Sequence, residues 1–210
     1  MIRVVTIERE YGSGGGVIAK KLAGRLGWKL WDQLLTDEIA RNLDCDCRAV
    51  ERHEERCDPL YYRLFKAFLR GSFEGTLNAS RLKMVDSDCV REIAERVVTT
   101  AGKEGNSVIV GRGSALYLQN LPDAFHVFIY ATEEEKIRRL EETGKSHGEA
   151  VELIETVDRD RYAFIKQYFG VDWPKPHLFD LMINSRMGDE LAVETVLHGI
   201  QAFRGQPIRV

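Results

Sequence analysis

Gly12-Ser13-Gly14-Gly15-Gly16 places four glycines within five residues. Such a run can adopt positive φ repeatedly and turn successive N–H groups inward, forming a concave nest for an anion. The β-branched run Val4-Val5-Thr6-Ile7 comes before it. After it, Val17 to Leu26 carries Ile18, Leu22 and Leu26 on one stripe, with Gly27 as a stop. A helix beginning there aims its positive N-terminal end at the same nest. Strand, glycine loop and helix in that order form an arrangement that holds nucleotide phosphates. Gly12, Ser13, Gly14, Gly15 and Gly16 are therefore the candidate phosphate-binding residues.

Two other groups of reactive residues carry less. Cys45, Cys47, His53 and Cys57 can be drawn as a four-ligand zinc site, but paired C-x-x-C hairpins are missing. Reduced cysteines on a helical segment, with no metal, are the expectation. His126 sits in an apolar strand and reads as a core histidine, and His177, between Pro176 and Leu178, as a loop residue.

The elements that must position the nest alternate in type. Short apolar runs at Trp28 to Trp31, Ser107 to Val110, Phe125 to Tyr130 and Leu178 to Ile183 read as strands. Amphipathic stretches separate them, including one from about Gln33 and a last one from about Asp189 to Phe203. Thr132 with Glu135, and Ser146 with Glu149, match the capping box that opens a helix. Strands joined by helices of this length imply parallel βαβ units with helices on both faces of one sheet. Residues 45–80 fit the alternation poorly. They are rich in Leu, Tyr and Phe and read as a helical insertion over one end of the sheet.

The segment Ile7-Glu8-Arg9-Glu10-Tyr11-Gly12-Ser13-Gly14-Gly15-Gly16-Val17-Ile18-Ala19-Lys20-Lys21-Leu22-Ala23 resembles the phosphate loop of the cytidylate kinases and their cytidylate kinase-like relatives. The resemblance extends to about residue 200 and is weakest in the middle. Asp32 resembles the acceptor-site aspartate of those enzymes, and Gly111-Arg112 their Gly-Arg after the third strand. Ala131 to Glu135 with Arg139 resembles their next helix, and Arg159-Asp160, opening a basic helix, resembles their lid, within a lid region of about residues 144–170. The resemblance implies a single P-loop kinase domain over 1–210, a three-layer α/β/α fold with a five-stranded parallel sheet. It implies ATP and Mg²⁺, and phosphoryl transfer to a nucleoside monophosphate, CMP or dCMP.

The loop departs from the usual motif in three places. Aligned on Gly12 and Gly14, the position of the lysine is Gly15, that of the Mg²⁺-binding hydroxyl is Val17, and that of the opening glycine is Arg9. A lost charge-assisted contact removes roughly 1.5–3 kcal/mol of phosphate stabilisation. Lys20 lies more than a helical turn past the loop. Arg9 leaves the strand beside the nest, and alternation along the strand turns Glu8 and Glu10 to the other side. Arg9 is thus expected to supply the missing charge, and a lysine restored at position 15 in an Arg9→Ala background is expected to recover some affinity.

Phosphoryl transfer needs positive charge around the migrating group more than it needs a nucleophile. Arg112, Arg139, Arg159 and Arg161 are the candidate catalytic cations, with Arg112 placed at the C-terminal end of a strand where open α/β sheets bind ligands. Arg159 and Arg161 can instead pair locally with Asp158 and Asp160. Asp32 either binds the acceptor or caps the helix after it. A kinase of another small-molecule acceptor, or a nucleotide-binding regulatory module without turnover, stays open.

Composition limits the remaining classes. The 210 residues are 44% hydrophobic and 30% charged, which excludes a disordered chain, and the net charge of −3 offers no global field for a nucleic acid. The apolar run from Met1 to Ile7 is too short for a signal-peptide core, and no run suits a spanning helix. The expectation is a cytoplasmic protein whose partners are a nucleotide and a small-molecule phosphate acceptor, with no membrane partner. Self-association into a homo-oligomer stays open.

Overall fold

The computed structural model describes residues 1–32, 34, 35, 38 and 87–203. Residues 45–80, with the cysteine and histidine group, lie outside them, as does most of the stretch following Gln33.

The first strand, β1 (Val4–Arg9), is buried along its whole length. It lies in the middle of a five-stranded sheet of order β2-β3-β1-β4-β5. The others are β2 (Lys29–Trp31), β3 (Ser107–Val110), β4 (Ala124–Tyr130) and β5 (Leu181–Asn184). Every pairing is parallel, with Val4 opposite both Ser107 and Ala124. Parallel strands covered on both faces favour continuous β-branched runs, which is what β1 and β3 present.

Alternation along β1 divides the core. Val5 and Ile7 join Val108, Val110, Val127 and Ile129 on one face, beneath α1 (Gly15–Leu26) and α6 (Asp189–Phe203). Val4 joins Ile109 on the other, beneath α2 (Ser87–Glu104) and the C-terminal half of α5 (His147–Phe169). The result is the expected three-layer α/β/α sandwich. In α1, Ile18 and Leu22 are fully buried, so truncating either to Ala costs about 2–5 kcal/mol. That packing fixes the helix start against the loop.

Several boundaries differ from the sequence reading. The strand expected at Leu178 begins at Leu181, because Pro176–Leu178 forms a 3-10 turn that also holds His177. A four-residue helix, α3 (Ser114–Tyr117), follows β3 and was not expected. Ser146 forms the full capping box with Glu149. At α4 (Glu133–Glu142), Thr132 accepts from the Glu135 N–H, but the return arm is missing. The Glu135 carboxylate is instead held by Arg138 and Arg139.

The stretch expected to be a lid is largely one 23-residue helix, α5. Ala150, Ile154 and Val157 pack with Tyr11 and Leu140, while Phe164 and Ile165 enter the core beneath the sheet. Among the described residues no helix is long and apolar enough to cross a membrane.

Candidate functional site

The glycine loop lies over the C-terminal end of β1. Gly12 and Gly14 take φ of 76° and 79°, the left-handed region that glycine enters without strain. Gly14 caps α1 with no side-chain hydrogen bond, and no acidic residue occupies the helix's first turn. Neither a capping side chain nor an acid thus competes with an anion for the first N–H groups. Ser13 Oγ donates to the Glu10 carbonyl at 2.8 Å, and Ser185 Oγ donates to the Ser13 carbonyl at 2.6 Å. The loop is thereby fastened to its own strand and to the turn after β5. A cavity of about 490 Å³ opens above it, bordered by Gly12, Gly14 to Val17, Arg139 and Asp189.

Arg139 reaches this cavity from α4. Its Nε pairs with Glu135 at 2.8 Å and its Nη1 with Asp189 at 2.9 Å. A Cβ on Gly14 would collide with the Arg139 guanidinium, its Cζ 3.0 Å away. The arginine therefore rests directly on the loop.

A second cavity, about 30 Å³, lies deeper and is bordered by Arg9, Arg112 and Arg161 together with Glu8. Three guanidiniums from three elements meet there: the end of β1, the turn after β3, and α5. Arg112 is buried and sits at φ 58°, an unusual conformation for a side-chain-bearing residue. It is turned back over its strand, with Nη1 3.3 Å from the Val110 carbonyl and 3.4 Å from Asp32 Oδ1. Burial, with Arg9 close by, pushes Arg112 down to about 10, and the same causes bring Arg161 to about 10. Both remain charged at neutral pH. Arg161 lies 5.8 Å above the Tyr11 ring and 3.4 Å from Asp158.

Of the charges around these arginines, Asp158 was expected as a local partner of Arg161, whereas the buried positions of Glu8 and Lys136 were not foreseen in the sequence. Glu8 is buried and accepts from Ser114 Oγ at 3.2 Å. Burial raises its carboxyl above the ordinary carboxylate range, against the pull of Arg9. Asp158, also raised by burial, accepts the Tyr11 N–H at 2.8 Å. Lys136 is buried under Gly12, with Nζ 2.6 Å from Glu10 and 3.7 Å from Asp158. Together these bonds join the loop, α4 and α5. One signal was available: Glu8 alternates onto a buried face of a buried strand, where an acid needs a partner.

The structure thus places Arg9, Arg139 and Arg161 at the cavity over the glycine loop, and Arg112 at the smaller adjoining cavity with Asp32 beside it. It does not bring Arg159 there. Arg159 is two residues from Arg161, so it projects from the far side of α5, 65% exposed and 3.7 Å from Asp160. Among the described residues no group of three or more His, Cys, Asp or Glu side chains is placed to hold a metal. His126 is buried as expected, with Nδ1 2.7 Å from Thr6 Oγ1.

A central parallel strand leading through a glycine loop into a covered helix, on a five-stranded sheet, is the P-loop kinase fold. The chain belongs to the cytidylate kinase-like family, whose sequence model matches residues 4–187. An uncharacterised protein from Eubacterium ventriosum has the same fold at TM-score 0.68 and 20% identity, over 96% of this chain and 99% of that one. Shikimate kinase from Bacteroides thetaiotaomicron is similar at TM-score 0.55 and 13% identity, over 96% and 99%. Shikimate kinase from Acinetobacter baumannii, in complex with shikimate, follows at 0.54 and 13%, over 98% and 97%. A search of curated proteins returns no match.

Proposed function

We propose that this protein transfers the γ-phosphoryl group of ATP to a nucleoside monophosphate, CMP or dCMP. The observation that carries the reading is the meeting of Arg9, Arg112 and Arg161 at a small cavity adjoining the glycine loop. The family supplies nucleotide use. In this reading the loop N–H groups and Arg139 hold the donor phosphates. Arg112, backed by Asp32, grips the acceptor phosphate, and Arg161 gathers charge as the phosphoryl group moves. An acceptor phosphate is already ionised near neutral pH, so its attack needs no protein base.

The loop fits Mg²⁺ poorly. Val17 stands where a hydroxyl ligand would be, and Ser13 Oγ is spent on the Glu10 and Ile129 carbonyls. No step is therefore assigned to a protein-held metal, and Mg²⁺ arrives on the oxygens of ATP.

A second reading, a kinase acting on a hydroxyl, draws on Glu8. A buried carboxyl with a raised pKa beside the arginine cavity suits a proton acceptor, which a hydroxyl needs and a phosphate does not. A regulatory module without turnover draws on Gly15 and Val17. ADP release, measured across nucleoside monophosphates and small hydroxyl metabolites beside an ATP titration, separates all three. Release with CMP or dCMP supports the first reading, and release only with a hydroxyl acceptor the second. ATP binding without release for any acceptor supports the third.

A further inference from the structure

Two of the loop's departures touch each other. Arg9 stands at the position of the opening glycine and Gly15 at that of the lysine. A Cβ built on Gly15 would lie 2.7 Å from Arg9 Cβ and 2.9 Å from Arg9 Cγ. Those atoms are the root of the Arg9 side chain, so turning its tip elsewhere does not clear the Cβ contact. Gly15 is in the first turn of α1 and is not among the glycines with positive φ. Space, not backbone conformation, is what demands a glycine there.

The other end of Arg9 meets a second glycine. A Cβ on Gly111 would overlap Arg9 Nη1 and lie 3.0 Å from Cζ. The side chain therefore runs through a slot with Gly15 at one end and Gly111 at the other, and it borders both the loop cavity and the arginine cavity. Its guanidinium lies beneath the loop, toward Arg112, rather than above it.

We propose that Arg9 and Gly15 are one exchange: the cation that the usual loop carries on its lysine is carried here by the last residue of β1. It enters the phosphoryl site from below, at the border the two cavities share, where it contacts the terminal phosphate of a bound nucleoside triphosphate. The usual motif is the converse solution, in which a glycine at the strand end makes room for a lysine in the loop. The proposal rests on the reading that this cavity takes a triphosphate. It also corrects the expected rescue: Arg9→Ala retains the Cβ that stands 2.7 Å from any side chain at position 15. Only glycine at position 9 opens the space.

The test uses four full-length proteins: the parent, Arg9→Gly, Gly15→Lys and the double variant. Melting without ligand, and ATP and ADP affinity by calorimetry, are measured on each. Arg9→Gly should lose about 10- to 100-fold in ATP affinity, as expected for one charge-assisted contact, and far less in ADP affinity. Gly15→Lys should melt lower than the parent, whereas the same change made in Arg9→Gly should lower the melting temperature much less. The double variant should regain most of the ATP affinity. A double variant that binds ATP no better than Arg9→Gly overturns the exchange, and so does an Arg9→Gly protein that binds ATP like the parent. Should Arg9→Gly fail to fold, Arg9→Ala reads the same preferential loss of ATP over ADP, and an unchanged ratio overturns the proposal. A parent that binds no ATP refutes the nucleotide reading itself and this proposal with it. A parent that binds, beside an insensitive Arg9 variant, refutes this proposal alone.

Discussion

Replacing Arg112 separates its grip on a ligand from its structural role, provided Lys and Ala are compared. Both replacements inherit the left-handed backbone at φ 58°, so that strain cancels between them. Arg112→Ala leaves Asp32 buried without the guanidinium 3.4 Å away, and breaking a buried pair this way costs about 3–5 kcal/mol. Arg112→Lys keeps a charge near Asp32 and gives up the bond to the Val110 carbonyl, a net loss of about 1 kcal/mol. Folding should therefore survive the lysine. Phosphate recognition should not, because a two-pronged fork becomes a point charge. Losing one charge-assisted contact of about 1.5–3 kcal/mol corresponds to roughly 10- to 100-fold in acceptor KM or turnover. Urea denaturation gives the stability, and ADP release at varied acceptor and varied ATP gives the two KM values. Equal losses toward donor and acceptor would refute the acceptor role and leave Arg112 as a folding residue.

Two further outcomes follow from the geometry. Arg159→Ala should change stability by less than about 0.5 kcal/mol and leave ADP release intact, whereas Arg161→Ala should slow release on the order of 10²-fold; equal effects of the two would mean that α5 presents its other face to the ligand. The hydrogen bond from Arg138, with Arg139 adding, holds Glu135 at about 2 against an ordinary 4.5. Its stabilising contribution is therefore full above pH 4.5 and lost as the pH falls toward 2, so acid melting curves of the parent should drop more steeply there than those of Glu135→Gln. The Arg138 partner is half exposed, so added salt should shrink the difference, and parallel curves at low salt would contradict the assignment.

Much of the sheet was legible because its signals are local. The β-branched runs of β1 and β3 and the glycines after β1 each mark an element within a few residues, and all proved to be where they were expected. The side to which Arg9 points was legible too, since alternation places it with Val5 and Ile7 under α1. What it meets there was not. Gly15 and Gly111 are separated by nearly a hundred positions, and only the parallel pairing of β1 with β3 brings both to one side chain. The partners of Glu8 and Lys136 were not legible, because Ser114 and Asp158 come from distant elements. The return arm of the Thr132 cap failed for a related reason: Glu135 has two arginines within reach, at i+3 and i+4, and they outcompete a backbone N–H. Arg159 and Arg161 were inseparable as neighbours in a basic stretch until the burial of α5 showed which side faced the site.

ATP titrated into the parent and into Gly14→Val tests most directly whether the glycine loop is the donor site. At φ 79° a side chain costs about 1–2 kcal/mol from the left-handed backbone, and more for a branched one. The new Cβ would also displace Arg139 from its place over the loop. Circular dichroism on both proteins establishes that the variant is folded. Saturable heat of binding in the parent and none in the folded variant is the predicted result. The same affinity in both proteins would contradict the account and place the nucleotide, if one binds, away from residues 12–16.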